Sequence, residues 1–335
     1  MQVMRMPIRI DVQGAAVVCA GARSHARASH SVNDRCHRVT SPSSLAVADK
    51  NLANCAKMVD DDRANMMAEQ GWPRMSRHEQ QNAAIRDQFG KQADSYARLV
   101  RGRTDPSFTR LVEALQVTDV DHVLDVGCGT GLLSVSLAGI ARQVTGLDLT
   151  PEMLEQARAL QAELKIGNIH WQQGDILPLP FPDGTFSIVV TKATFHHLTD
   201  PAGALAQMIR VCAPGGRIAV SDMTPDRAKI EFFDHVEKLR DPSHVHALPA
   251  EELRRLGQAA GLAELAFWQT SSVVPFEAVL ATSFSEPGNL ERVRELYCED
   301  AISGQDRLGM SAREESGQIL VTYPLTTLVW RRSNR

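Results

Sequence analysis

The sequence predicts a doubly wound α/β sheet, mostly parallel, with an antiparallel C-terminal strand and helices on both faces. Three observations predict it. From residue 121 onward, short apolar runs alternate with longer segments of helical period. The first run ends in an acid and a glycine-rich turn, "LDVGCGTG" over residues 124–131, and a helical segment follows. The alternation then breaks down for about 45 residues before a last strand-like segment, "QILVTYPLTTLVW".

Each element has its own warrant. "HVLDV" is apolar on both parities, as a strand covered on both faces must be. "LLSVSLAGIA" is apolar on most sides and reads as a buried helix, with "QVTGLDL" as the second strand. Thr150 and Pro151 suit the N-cap and first turn of the helix "PEMLEQARALQAELK". Met153, Leu154, Ala157, Leu160 and Leu164 form its inward stripe. "IHWQQGD" and "FSIVVT" are the third and fourth strands. Asp200 and Pro201 open a further helix that is expected to run until Gly215 and Gly216 stop it. "RIAVSDM" is the fifth strand, "PAEELRRLGQAAG" a helix ended by Gly261, and "LAELAFWQ" the sixth strand. Pro324 lacks an N–H for a central ladder, so the last segment is expected to split there.

Residues 1–74 show neither period and are rich in Ser, Arg and His, so they read as a disordered extension to a domain spanning 75–335. Two other readings stand beside it. The first forty residues hold six Arg against two Asp, as a transit peptide would, but no amphipathic Arg-bearing helix emerges. Translation starting at Met75 is the third, since helical patterning begins abruptly there.

Of 335 residues, 43% are hydrophobic, enough for a sizeable core. The net charge of −4 supplies no basic field for phosphate backbones, so a small molecule is expected as partner and nucleic acid is not. No run reaches the length of uncharged apolar residues that a spanning helix needs, and the expectation is a soluble cytoplasmic protein. The six cysteines lack CxxC spacing, which speaks against metal and disulfide use. Oligomeric state stays open.

The glycine turn narrows the ligand. Gly127, Gly129 and Gly131 are spaced by two, and Leu132 stands where a dinucleotide fingerprint needs its third glycine, so NAD is disfavoured. A carboxylate at Asp125 sits poorly beside a pyrophosphate and well beside an ammonium or sulfonium. Together these suggest a cationic nucleoside. Asp148 ends the second strand, where an acid accepts both ribose hydroxyls in nucleotide folds.

At "VLDVGCGTG", "GLDLTPEML", "GDILPLPFPDGTFSIVVTKATFHHLTDP" and "APGGRIAVSD" the chain resembles the Rossmann-like class I S-adenosylmethionine-dependent methyltransferases. Within them it is similar to the small-molecule branch that includes ubiquinone/menaquinone C-methyltransferases. The resemblance covers about residues 85–225. It implies S-adenosyl-L-methionine as cofactor, with Gly127, Gly129 and Gly131 around its methionine part and Asp125 near its amino group. It further implies Asp148 at the ribose, Leu149 and Met153 near the adenine, and Asp175 with Ile176 at the adenine amino group and ring. Thr191 would line the methionine side, and Tyr96 would cover the cofactor. Purely structural roles compete: the glycines can serve a tight turn, and Asp175 can cap the turn before "LPLPFPDG".

On the acceptor side, "TFHHLTD" follows the fourth strand. An imidazole there can take a proton from a hydroxyl, phenol or acidic carbon. Only one of the two is expected to point inward, and His196 is chosen over His197. A segment that merely shapes the pocket, with no protein base, is the alternative. The Asn/Asp-Pro-Pro-aromatic signature of exocyclic amine methylation is absent, since the position reads "TKATFHH". The cysteines form no multi-thiolate arsenite site, and the acids form no catechol-type metal site. Acceptor cover is expected from residues 85–105, 224–249 and 271–317. Within "RDPSHVHAL", Arg240, His244 and His246 are read as solvated loop polarity in preference to pocket lining, and Phe232 with Phe233 as apolar wall or core. The predicted function is methyl transfer to a small organic acceptor at C, O or N. The rival is a catalytically inactive S-adenosylmethionine-binding regulator.

Overall fold

The structure, a computed structural model, describes residues 75–100 and 106–334; the expectations for residues 1–74 lie outside the described residues. The elements, in order, are α1 (Arg77–Val100), α2 (Pro106–Leu115), β1 (His122–Val126), α3 (Leu132–Ala138), β2 (Gln143–Asp148), α4 (Pro151–Glu163), β3 (Ile169–Gln173), β4 (Phe186–Lys192), α5 (Pro201–Val211) and β5 (Cys212–Met223). Then come α6 (Ile230–Arg240), α7 (Ala250–Ala259), β6 (Ala263–Pro275), α8 (Phe276–Leu280), α9 (Pro287–Ser303), β7 (Arg313–Glu315) and β8 (Gln318–Arg331).

The strands join in one sheet of order β3-β2-β1-β4-β5-β8-β6, with β7 paired to β8. Strands β1 to β5 run parallel, and β8 lies antiparallel between β5 and β6. Strand alternation distributes the core between two faces. Val123, Ile188 and Val190 meet Leu111 and Leu115 of α2 and Leu133 and Leu137 of α3. Leu124, Val126 and Val189 pack with Leu205 and Met208 of α5 and Leu253 of α7. A third cluster, including Phe233, Tyr297, Met310 and Val321, builds a separate small core beyond the end of β5.

Three local expectations are corrected. Helix α5 ends at Val211, not at the glycines, because Cys212 already pairs with Phe186 of β4. The next aligned pair is Ile188 with Arg217, so residues 213–216 bulge out of the ladder, and a Cβ at Gly216 would lie 2.6 Å from the Cys212 sulfur. Strand β8 passes through Pro324 unbroken. Pro324 faces Thr224, one residue past the end of β5; Thr224 donates its N–H to the Pro324 carbonyl at 2.9 Å. The bond that proline cannot return is one that a finished strand does not require. Finally, Thr150 occupies the N-cap of α4, yet its hydroxyl makes no cap hydrogen bond.

The sheet order reverses between β1 and β4, which opens a crevice at the carboxyl ends of these strands. Asp125, Asp148 and the segment after β4 all reach it.

Candidate functional site

A cavity of about 390 Å³ occupies that crevice. Around it the structure brings together Tyr96, Asp125, Gly127, Gly129, Asp148, Leu149, Met153, Asp175, Ile176 and His196. It leaves Gly131 and Thr191 off the wall. Thr191 is fully buried and donates its hydroxyl to the Val126 carbonyl at 2.7 Å, binding β4 to β1; Lys192, Ala193 and Thr194 border the cavity in its place.

The three glycines are required for two different reasons. All have positive φ, at 67°, 51° and 81° for Gly127, Gly129 and Gly131. A Cβ at Gly127 would meet the Thr194 hydroxyl at 2.5 Å, and one at Gly131 would meet the Trp171 ring at 2.6 Å. Those two permit close packing of the turn against the protein. A Cβ at Gly129 meets nothing within 4 Å, so this glycine opens onto the cavity. A ligand backed against that turn would fill the space.

Asp148 is anchored by the same turn. The Gly129 N–H donates to its Oδ2 at 2.7 Å and the Thr150 N–H to its Oδ1 at 2.9 Å. Burial raises its carboxyl above the ordinary range despite these donors. Each oxygen keeps a lone pair for a further donor such as a vicinal diol. Asp125 is 1% exposed and accepts the Ser134 hydroxyl at 2.6 Å. Burial pushes its carboxyl up to about 7, with the Asp148 charge adding to the effect. A buried acid of this kind is poised to ionise when a cation arrives. Cys128, between the glycines, is a buried thiol pushed far up by burial and is no nucleophile at neutral pH.

Asp175 ties the cover to the floor. Its Oδ2 accepts from Asn82 at 2.5 Å and lies 2.7 Å from His78 Nε2, both on α1, while its Oδ1 accepts the Leu177 N–H at 3.0 Å. Gln81 of α1 donates to the carbonyls of His197 and Ser243. Phe89, Gln92 and Tyr96 continue along the same helix over the cavity.

Both histidines border the cavity, contrary to the expectation that only one points inward. Their partners separate them. His196 Nδ1 lies 2.5 Å from Asp222 Oδ1, at the end of β5. Asp222 also accepts the N–H groups of Thr194, Phe195 and Met223. Burial opposes charge on His196, but Asp222, aided by Glu237 and Asp241, outweighs it and raises the imidazole above its ordinary value. Burial likewise works against Asp222, and His196 together with the backbone donors holds that carboxyl below its usual range. With Nδ1 committed to the carboxylate, Nε2 is the atom left for a proton from the cavity. His197 instead puts Nδ1 3.0 Å from the Ser243 carbonyl and its ring edge-on to Phe89. Burial and the neighbouring His196 charge push it down to about 3, so it stays neutral.

The segment 240–246 departs from its expected solvation. His244 is 4% exposed, with Nε2 at 2.7 Å from Asp234, and Arg240 lines the cavity while pairing with the fully buried Glu237. Of Arg240, His244 and His246, only His246, also held by Asp234, has a side chain substantially open to solvent. Phe233 is core, whereas Phe232 is exposed under the guanidinium of Arg307. Arg240, which the sequence reading set aside as loop polarity, lies on the cavity wall, and Tyr323 on that wall and Asp222 behind His196 are residues it missed. For Asp222 a signal existed, because an acid ending the apolar run "RIAVSD" falls at the carboxyl edge of the sheet. No group of three or more His, Cys, Asp or Glu suited to a metal ion occurs among the described residues.

Residues 124–220 match the model of a methyltransferase domain. The chain is 34% identical over 144 residues to an uncharacterized methyltransferase of Bacillus subtilis, covering 42% of this chain and 57% of that protein. The crystal structure of the latter superposes with a TM-score of 0.60 at 23% identity, over 68% of this chain and 98% of that one, which shows the shared fold. A demethylmenaquinone methyltransferase of Tropheryma whipplei is 33% identical over 162 residues, 47% of this chain and 66% of that protein. An O-methyltransferase of Penicillium expansum is 38% identical over 108 residues, 32% of this chain and 39% of that protein. The chain thus spans between about two fifths and two thirds of the length of these curated relatives.

Proposed function

We infer that the chain, whose residues 124–220 match the model of a methyltransferase domain, transfers a methyl group from S-adenosyl-L-methionine to a small organic acceptor. The observation that carries the reading is the junction at Gly129. There the turn opens onto the cavity without a Cβ, and its N–H fixes the carboxylate of Asp148. Asp148 would hold the ribose, Asp125 the ammonium, and Leu149, Met153 and Ile176 the adenine face. When bound, the cofactor supplies a methyl group activated by a sulfonium.

The chain's own work is alignment, exclusion of water and proton removal. Helix α1, held to Asp175 by His78 and Asn82, closes the cavity from one side. His196 Nε2 takes the proton of a hydroxyl or acidic carbon as the acceptor's bond to the methyl group forms, and Asp222 steadies the resulting imidazolium. The pair favours catalysis over a purely regulatory binding role, since it leaves the Nε2 of a carboxylate-supported imidazole for a proton from the cavity. Asp125 and Asp148 lie on the cofactor side as binding groups. Strong carboxylate stabilisation at the sulfonium would favour the ground state, where that charge is greatest.

Calorimetry with S-adenosylhomocysteine and NAD tests the cofactor, and production of S-adenosylhomocysteine in an acceptor screen tests the reaction. Tighter binding of NAD would overturn the reading.

A further inference from the structure

We propose that the acceptor half of the cavity takes an apolar molecule carrying a carboxylate beside its methyl-accepting hydroxyl, with Arg240 holding the carboxylate and His196 receiving the hydroxyl proton. This rests on the methyl-transfer reading above and adds the substrate class.

The argument starts from the guanidinium fork. Arg240 spends Nε and Nη2 on Glu237, at 3.0 and 2.6 Å. Glu237 is fully buried at 0% exposure and also accepts the Tyr323 hydroxyl at 3.2 Å, so it fixes the plane of the guanidinium. Nη1 alone has no hydrogen-bond partner among the described residues, and it is not among the sealed, unpaired polar atoms. Arg240 lines the cavity, so Nη1 and its two N–H groups are left to whatever enters there. A charged donor held rigidly with a free face matches a carboxylate oxygen better than a neutral one.

The surroundings favour the same ligand. Met223, Val274, Val279 and Leu325 line this half of the cavity and supply apolar contact for a carbon skeleton. Asp241 also borders it, but the Ser243 N–H and hydroxyl both occupy its Oδ1. Lys192 adds a second cation to the wall. A cationic acceptor would meet Arg240 and an imidazole biased toward its charged form. An anionic one meets a free donor. His196 is electrostatically linked to Glu237, which places the proton acceptor and the arginine fork in one neighbourhood.

The test uses the full chain and begins with S-adenosylhomocysteine. The saturated complex is then titrated with 2-hydroxybenzoate, 2-hydroxybenzamide and phenol. The acid is expected to bind at least about tenfold more tightly than either neutral probe. Arg240→Gln alone would strand a buried carboxylate and endanger folding, so it is combined with Glu237→Gln. The double variant should keep its affinity for S-adenosylhomocysteine and lose the preference for the acid, with a melting temperature recorded to establish that it folds. Equal binding of acid and phenol, no binding of any probe at millimolar concentration, or a preference that survives in the folded double variant would each overturn the proposal. If S-adenosylhomocysteine itself does not bind, the methyl-transfer reading fails. The three probes are then titrated on the free protein and judged by the same criteria.

Discussion

Cofactor binding should release a proton, and Asp125 should be its source. Burial holds this carboxyl at about 7, so in the free protein it is half protonated near neutrality. An ammonium or sulfonium beside it favours the ionised form. If binding ionises Asp125 fully, about 0.9 proton leaves at pH 6, about 0.5 at pH 7 and about 0.1 at pH 8. Affinity then improves about tenfold from pH 6 to pH 8, or roughly 1.4 kcal/mol, with most of the gain complete by pH 7.5.

Calorimetry at these three pH values, in two buffers of different ionisation enthalpy, reads the released protons directly. S-adenosylhomocysteine serves as ligand because it keeps the ammonium. Asp148 is the competing source, since burial raises its carboxyl as well. Asp125→Asn separates the two: it retains a partner for the Ser134 hydroxyl and should remove most of the release at pH 6. Identical heats in both buffers at pH 6 would refute the reasoning. So would undiminished release from Asp125→Asn. The free protein carries the same linkage. An acid whose folded pKa is raised binds more protons folded than unfolded, so stability falls as pH rises from about 4 to 7. Asp125→Asn should flatten that part of the melting profile.

Asp148→Ala should weaken S-adenosylhomocysteine by about 1.5 to 3 kcal/mol through loss of a charge-assisted contact, and an unchanged titration would remove Asp148 from the site. His196→Ala should lower turnover by roughly 10²-fold or more at nearly constant cofactor affinity; equal activity would favour a mechanism of positioning alone. Because Asp222 raises His196, the rate should climb with pH through a midpoint above 6.5, and Asp222→Asn should move that limb to lower pH. The same pair stabilises the fold below the unfolded histidine pKa, and its contribution is lost as pH rises through the folded one. Gly131→Ala should cost about 1 to 3 kcal/mol of stability, measured by denaturant unfolding, because its Cβ would strike Trp171. Gly129→Ala should bear a smaller backbone penalty and act on cofactor titration, since its Cβ enters only the cavity.

What the sequence made legible were the features carried by neighbouring residues. The strand, turn and acid of "VLDVGCGTG" are contiguous, and the structure places Asp125, Gly127 and Gly129 on the cavity wall. Asp148 follows by the period of one βα unit. Where reasoning fell short, the deciding partner was remote in the chain. Pro324 counts against a central strand only until the end of β5 is known to lie opposite it. "RDPSHVHAL" is a polar loop by composition, but Glu237 and Asp234 turn its Arg240 and His244 inward.

The adjacent histidines make the point most sharply. His196 and His197 are one residue apart, with rings 4.1 Å between centroids and burial that is nearly equal. Nothing local distinguishes them. The difference comes from Asp222, 26 residues on, and Ser243, 46 residues on, which give one ring a carboxylate and the other a carbonyl. A carboxylate stabilises the imidazolium, whereas a carbonyl can only fix the tautomer of a neutral ring. One adjacent pair therefore supplies a proton acceptor and an uncharged wall. Moving the carboxylate should move the charge: the Ser243 hydroxyl lies 3.2 Å from His197 Nδ1, so Asp222→Asn with Ser243→Asp should raise His197 and lower His196. Proton NMR titration of both imidazoles would read this, and two unmoved titrations would show that burial alone sets them.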